Sequence, residues 1–545
     1  MALPYPTKPG DVDHMIANDH ALVNRQFEHL EAGRGDRQVL ADQVCFEINL
    51  HADAEERTFY PELKKQGRDD HAEHLISEHA EVKKLVQTVE GSSPAEPEFE
   101  QALTAIIADI RKHALDEETT FLPELREAAG DARMAELGEA FLAAKRTAPT
   151  RSHPAAPASG LGHKLADAGA ALIDKAKDKG GRMKGLATDP SGYLDPQAQA
   201  LADAFSSLEP MPPEILEPKA ARKQPGPDDA VKELLRQQGR PTDPEPVGSV
   251  EDIAISTHDG ELTVRVYKPT RNQAGLLPVL LWVHGGGWVL YDNDTYDASC
   301  RGLCNKTGAI VISPEYRLAP EHPFPASHQD VASTYRWLTT HAEEIGGDTR
   351  RVAIGGESVG GNMAAATSLG LISAGDALPA AQVLVYPITT AEQYGESMID
   401  SADARPLNRP LLSWMAMHAF TGAPESATDP RIDLLGRSAD ELRALPPTLV
   451  ITDERDVLRS QGEQFAQNLT DAGVPTTATR YEGVTHEFFG ASAVLDKAEQ
   501  AQQQAADFLL TAWNSTGTGQ SAVSEPATGV TLPHGKQTPV GSTRM

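Results

Sequence analysis

Cysteine is scarce: the 545 residues include three, Cys45, Cys300 and Cys304. An odd number without a spaced framework excludes a disulfide scaffold, and such sparing use suits a reducing compartment. Cys300 and Cys304 have C-x-x-x-C spacing, but without further thiols they read as packing residues, not metal ligands. Positive charge is also short, with 49 Lys and Arg against 79 Asp and Glu, a net charge of −30. Such a surface repels nucleic acid and anionic membranes and favours solubility. No apolar run approaches a membrane span, and Met1 to Gly10 lacks the apolar core of a secretory leader. The expectation is a soluble cytoplasmic protein without nucleic-acid or membrane partners.

The chain is too long for one hydrophobic core, so two or more domains are expected. Residues 11–147 show helical patterning over Val12–Leu30, Gln38–Lys64, His71–Val89 and Phe99–Leu125, with a shorter stretch over Ala132–Lys145. Within it lies an internal repeat. H-A-D-A-E-E-R-T-F-Y-P-E-L-K at 51–64 matches H-A-L-D-E-E-T-T-F-L-P-E-L-R at 113–126, and N-D-H-A-L-V at 18–23 matches S-E-H-A-E-V at 77–82. Each half offers one histidine on its first helix and an H-x-x-x-E pair on its second. A spacing of four puts His51 with Glu55, and His113 with Glu117, on one helix face. Two such sets facing each other in a four-helix bundle supply four imidazoles and two carboxylates, a mixture suited to iron or another first-row transition metal. Without a metal, six ionisable groups converging on a bundle core would be expensive to bury. The alternative, a solvated histidine face, fits poorly with a doubled set in matched register.

These motifs resemble the hemerythrin-like, or HHE cation-binding, family. The resemblance implies a four-helix bundle with a non-heme di-iron centre that binds or reacts with dioxygen. It places the ligands at His20, His51, Glu55, His79, His113 and Glu117. The family's oxygen carriers have H-x-x-x-H on the third helix. Here position 75 is leucine, His74 is the nearest further donor, and reversible oxygen carriage is not implied. His14, His29 and His71 lack repeat counterparts and are expected at the surface.

Residues 148–190 read as a flexible linker, with Pro149, Pro154 and Pro157 among Ser and Ala. Leu161–Lys179 carries near-helical apolar spacing and could dock as a short amphipathic helix.

From residue 191 to 513, strand candidates recur: Ile253–Ser256, Leu262–Tyr267, Val279–Val283, Ile310–Ser313, Val352–Ile354, Val383–Tyr386, Leu449–Thr452 and Thr477–Tyr481. From residue 279 onward strands alternate with helices, which predicts a mostly parallel sheet between helices, with the first two strands as an antiparallel edge. G-E-S-V-G between a predicted strand and a predicted helix is the nucleophile-elbow pattern, and Ser358 sits at its tip. Three glycines in His284-Gly285-Gly286-Gly287-Trp288 follow the third strand. The N–H groups of Gly285, Gly286 and Val359 would form an oxyanion hole, each donor worth roughly 3–4 kcal/mol to the transition state. His284 reads as a residue holding that loop. A base and its orienting acid must follow the serine in that fold. His486 stands in E-G-V-T-H-E-F-F, and both Asp453 and Asp456 stand in D-E-R-D-V-L-R; spacing alone leaves the acid open.

H-G-G-G-W, S-P-E-Y-R-L-A-P-E-H-P-F-P-A (313–326) and G-E-S-V-G-G-N are similar to the hormone-sensitive-lipase-like branch of the α/β-hydrolases. The family's D-x-L-R pattern falls on Asp456-Val457-Leu458-Arg459, which implies a triad of Ser358, Asp456 and His486. Many members have Asp before the serine and Ala after it; Glu357 and Val359 stand here. The resemblance implies a helical cap, drawn from residues 191–245 and about 390–428, and hydrolysis of small-molecule carboxylic esters of short to medium acyl chain. Residues 514–545, rich in Ser, Thr, Gly and Pro, are expected to be disordered. The leading expectation is therefore a serine esterase fused to an iron-binding bundle. The alternative is an iron or oxygen sensor with the hydrolase as output or passenger.

Overall fold

The computed structural model describes residues 3, 5, 7–8, 10–149, 192–257, 260–270, 275–392 and 395–517. The expected linker helix and nearly all of the expected disordered tail lie outside the described residues.

The first module is helical. α1 (Val12–Glu31), α2 (Arg37–Arg57), α4 (Asp69–Gly91) and α5 (Pro97–Asp116) form its four long helices, with α3 (Phe59–Lys65) between α2 and α4. α6 (Leu122–Ala129) and α7 (Asp131–Thr147) follow. Leu22, Phe27, Val44, Ile48, Val86, Phe99 and Ile106 pack one end of the bundle, and Ile16, Phe59, Leu75, Leu122 and Phe141 the other. The two longest helices expected from the sequence are each interrupted. α2 stops at Thr58 (φ −128°, ψ −61°), and after α5 the chain widens into a π turn over Glu117–Phe121. Both breaks precede a proline, Pro61 and Pro123, at corresponding positions of the repeat. A proline ring crowds the carbonyl four residues back and removes a donor, so a regular helix cannot pass through.

The second module is built on an eight-stranded sheet: β1 (Ser249–Thr257), β2 (Gly260–Lys268), β3 (Leu277–Val283), β4 (Ile310–Pro314), β5 (Gly347–Glu357), β6 (Gln382–Val385), β7 (Thr448–Arg455) and β8 (Thr476–Thr485). Its order is β1-β2-β4-β3-β5-β6-β7-β8. β1 and β2 are antiparallel, β2 is antiparallel to β4, and β3 through β8 run parallel. The central strands are apolar on both faces, as a sheet covered by helices on both sides requires. Val279, Leu281 and Val283 pack toward helix Val359–Ala374. Leu280 and Trp282 point the other way, against the helix Asp297–Thr307 and the C-terminal helix Asp496–Gly517. That last helix runs four residues past the boundary expected at residue 513. Each such buried side chain contributes about 1.5–3 kcal/mol relative to exposure.

Helices Pro196–Ser207 and Pro227–Gln237, and the helix Arg409–Ala419, lie over the carboxyl ends of the strands. α1 packs on helix Arg409–Ala419. His14 Nε2 lies 3.2 Å from Ser413 Oγ, Asn18 also bonds Ser413, and Arg409 donates to Asn18 at 2.7 Å. Further along α1, His29 pairs with Asp403 at 3.5 Å. His14 and His29 are therefore buried, at 8% and 1% exposure, contrary to the expectation from sequence; they face the second module. His71 is half-buried against Phe121.

Candidate active site and candidate metal centre

Strand β5 delivers Ser358 at its carboxyl end. The residue has φ 56° and ψ −117°, a backbone conformation that costs a non-glycine residue and marks a tight strand-to-helix turn. Only glycine fits on either side. A Cβ on Gly356 would lie 2.5 Å from the Val283 carbonyl oxygen, and one on Gly360 2.0 Å from the same atom. The turn is pinned by the Ser358 N–H donating to Val385 O at 2.9 Å and by Asn362 N–H donating to Ser358 O at 3.2 Å.

Asp456 follows β7 and His486 follows β8. The Nδ1–H of His486 donates to Asp456 Oδ2 at 2.9 Å. Burial opposes charge on this imidazole, but Asp456 outweighs it and raises the pKa above the ordinary value. Asp453 is also buried, yet both its carboxylate oxygens lack hydrogen-bond partners among the described residues. Burial and the neighbouring Asp456 push its pKa well up.

The glycine loop after β3 folds over the serine. Gly286 (φ 95°) and Gly287 (φ 62°) share with Ser358, Val359 and His486 the wall of a small cavity of about 30 Å³. Leu411, Leu412 and Met415 of the helix over the site close it. Gly285 stands behind: its carbonyl accepts from Tyr316 Oη at 2.8 Å and from His284 Nδ1 at 2.9 Å. His284 stacks on Tyr316 at 4.1 Å, and burial lowers its pKa to about 4. It anchors the loop as a neutral ring. A second cavity of about 850 Å³ shares Tyr291, Pro406, His486 and Glu487 with the first and opens between Pro196–Ser207 and Pro227–Gln237.

The six donors expected in the bundle converge. His20, His51, Glu55 and Glu117 each offer an atom within 4.8 Å of the others, as do Glu55, His79 and His113. Glu55 belongs to both groups, and Glu117 Oε1 also approaches His113 Nε2 at 3.3 Å. All six side chains are 9% exposed or less. Four atoms aimed inward make no well-directed hydrogen bond among the described residues: His51 Nε2 only faces Glu55 Oε1 at 3.1 Å, and His20 Nε2 faces Glu117 Oε2 at 3.5 Å. Buried polar atoms left unbonded are costly unless something binds them. His74, by contrast, is exposed and pairs with Glu78.

The outer nitrogens are all spoken for. Nδ1–H groups of His20, His51, His79 and His113 donate to Glu118, Asp19, Glu56 and Glu78 at 3.0–3.1 Å. This fixes the tautomer that turns each Nε2 lone pair inward, the arrangement typical of histidines that bind metal. These acids were missed from sequence, although the repeat carries them in register: Asp19 matches Glu78, and Glu56 matches Glu118. Tyr60 was missed as well. Its hydroxyl lies 2.9 Å from His79 Nε2, 3.0 Å from Glu55 and 3.1 Å from Glu117. The signal was a break in the repeat, tyrosine opposite Leu122. The donor set of nitrogen and carboxylate oxygen therefore fits a first-row transition metal.

Comparison with known proteins matches residues 11–125 to the hemerythrin HHE cation binding domain and residues 280–490 to the alpha/beta hydrolase fold. Esterase LipI of Mycobacterium tuberculosis is 34% identical over 281 residues, 50% of this chain and 86% of that protein. The chain belongs to the α/β-hydrolase family. It carries a hemerythrin HHE domain ahead of the hydrolase, and it is a carboxylic ester hydrolase. An ethyl acetate hydrolase of Pseudomonas putida is 34% identical, covering 46% of this chain and 79% of that protein. Among solved structures, a thermostable esterase from Pseudomonas putida ECU1011 aligns with a TM-score of 0.53 at 32% identity, covering 59% of this chain and 98% of that one. The HHE domain implies metal binding in the α/β-hydrolase's N-terminal bundle.

Proposed function

We propose that Ser358, His486 and Asp456 form the triad of a serine carboxylesterase, with the N–H groups of Gly286 and Val359 in its oxyanion hole; Gly285, expected from the sequence as a further donor, lies behind the cavity wall. The observation that carries this reading is the 2.9 Å bond from His486 to Asp456, with the other edge of the imidazole and Ser358 in the wall of one cavity. Ser358 Oγ attacks the ester carbonyl carbon while His486 Nε2 takes its proton. The N–H donors hold the negative charge that builds on the carbonyl oxygen. As the intermediate collapses, the C–O bond to the alcohol breaks and Nε2 hands the proton to the leaving oxygen. Water then repeats the sequence on the acyl-serine, releasing the acid and restoring Ser358. Substrates are carboxylic esters of short to medium acyl chain. The small cavity beside Ser358 and the ethyl acetate hydrolase among the relatives favour the short end.

The bundle is read as a non-heme di-iron site that His20, His51, Glu55, His79, His113 and Glu117 would hold. Iron there would supply redox chemistry with dioxygen; ester hydrolysis requires none. Wild type hydrolyses p-nitrophenyl butyrate and Ser358→Ala does not; equal rates would end the esterase assignment. Metal analysis finds about two irons per chain, lost in Glu55→Ala.

A second reading, an iron or oxygen sensor with the esterase as output, is favoured by one observation: α1 carries Asp19 and His20 toward the metal donors, and His14 and Asn18 against the helix over the active site. Esterase KM that is the same in apo, reduced and oxidised protein removes it.

A further inference from the structure

The residue after the candidate base is out of the ordinary. Glu487 has φ 69°, a left-handed conformation that a β-carbon makes costly, and the chain adopts it directly beside His486. The result is to aim a carboxylate at the reacting side of the site. Glu487 Oε1 lies 4.0 Å from His486 Nε2, and the side chain is 8% exposed. Both of its oxygens accept from one donor, Tyr296 Oη, at 2.7 and 2.8 Å.

Among the described residues, no lysine or arginine pairs with it. The cations on the same cavity wall are committed elsewhere: Lys232 to Asp228, Arg265 to Asp294, Arg301 to Asp297, Lys306 to Glu499, Arg405 to Glu214 and Arg240 to the Ala493 carbonyl. Nor does the neighbouring carboxylate help. Glu357 is fully buried, accepts from Trp282 Nε1 and Tyr386 Oη, and carries no cation either. Burial and the proximity of Glu487 push the Glu357 pKa up to about 7. Burial raises the pKa of Glu487 as well, against the pull of the adjacent His486, so a cation entering beside it would stabilise the ionised carboxylate.

Geometry says where that group would come from. His486 returns its proton to the leaving oxygen, so the alcohol portion departs on the histidine side. The cavity of about 850 Å³ is lined by His486, Glu487, Tyr291 and Tyr296, and it meets the small cavity of Ser358 at His486, Glu487 and Tyr291, which line both. The rings of Tyr291 and Tyr296 stand 6.2 Å apart beside the carboxylate. Aromatic faces around an anion recognise ammonium groups.

We propose that Glu487, with Tyr291 and Tyr296, selects esters whose alcohol portion carries an ammonium group, an inference that rests on the Ser358–His486 esterase reading. A small cavity at Ser358 that joins a large one at Glu487 suits a short-chain acyl ester of an amino alcohol.

The test compares acetylthiocholine with S-(3,3-dimethylbutyl) thioacetate, its uncharged isostere, on the full-length protein. Wild type shows a kcat/KM ratio of about ten or more in favour of the cation, the scale of one partly desolvated cation contact. In Glu487→Gln, which keeps volume and backbone, the ratio falls to about one. A wild-type ratio near one, or a ratio unchanged in the variant, overturns the proposal. Turnover of the isostere alone contradicts the cation preference and leaves the esterase reading standing; turnover of neither substrate refutes both. A readout on wild type alone guards against a variant that fails to fold. Choline competes with p-nitrophenyl acetate about tenfold more tightly than 3,3-dimethylbutan-1-ol, and equal inhibition constants contradict the proposal.

Discussion

At the scale of single residues, two aspartates three positions apart stand beside His486 in different states. Asp456 accepts the imidazole N–H, while Asp453 is buried and has no hydrogen-bond partner among the described residues, with its pKa pushed well up. Asp453 does not hold the imidazole, so Asp453→Asn retains kcat within a few-fold. Asp456→Asn stabilises the wrong imidazole tautomer and lowers kcat by about 10⁴-fold. Activity requires His486 neutral, and its pKa is raised. The acid limb of the kcat/KM profile therefore has its midpoint above the ordinary imidazole value of about 6.5, and the rate falls as pH drops through it. A midpoint below that value contradicts the pairing. Spacing in the sequence left the two aspartates unresolved, because both lie where a strand gives way to a loop; a difference of three residues becomes decisive only once β7 pairs with β8. Glu487 was equally hidden, since nothing local in H-E-F-F announces a left-handed backbone.

Among elements, those with strong periodicity were readable. All eight strands fall where apolar runs between turn residues place them, and the repeat located the inner donors because doubled histidines and glutamates survive in register. Helix continuity was harder. Pro61 and Pro123 each sit inside an otherwise helical pattern, and their cost appears only as the breaks at Thr58 and Glu117–Phe121. The strand-to-helix turn at Ser358 has a sharper consequence. A methyl at position 360 would meet the Val283 carbonyl at 2.0 Å. Gly360→Ala should destabilise the hydrolase module by about 1–3 kcal/mol through overpacking, read as an earlier urea midpoint, with Gly370→Ala, in the same helix and with nothing within 4 Å of the added carbon, as a control whose midpoint holds or rises. In the bundle, four inward polar atoms make no hydrogen bond among the described residues and face one another as His51–Glu55 and His20–Glu117 pairs. Chelation of bound metal should lower the bundle's thermal midpoint by mass action, and added iron should restore it.

For the molecule as a whole, the bundle is part of the wall that holds the candidate triad. Asp403 accepts from Arg455 Nη2 at 2.6 Å and pairs with His29 of α1 at 3.5 Å. Arg405 approaches Glu47 of α2 at 3.7 Å, and its carbonyl accepts from Thr485 Oγ1 at 2.5 Å. Arg455 and Thr485 immediately precede Asp456 and His486. Removing one partner of a buried pair is strongly destabilising locally, so His29→Ala should lower kcat/KM for p-nitrophenyl butyrate about tenfold while bound iron per chain stays constant. Docking of this kind leaves no trace in local periodicity, which is why His14 and His29 read as surface residues in the sequence. The esterase reading stands or falls with Ser358 as the nucleophile beneath the glycine loop. A crystal structure after treatment with a p-nitrophenyl alkylphosphonate decides it. The expected result is a covalent bond from Ser358 Oγ to phosphorus, with the phosphoryl oxygen within hydrogen-bond reach of the Gly286 and Val359 N–H groups. An adduct on another residue, or a phosphoryl oxygen turned away from that loop, would contradict it.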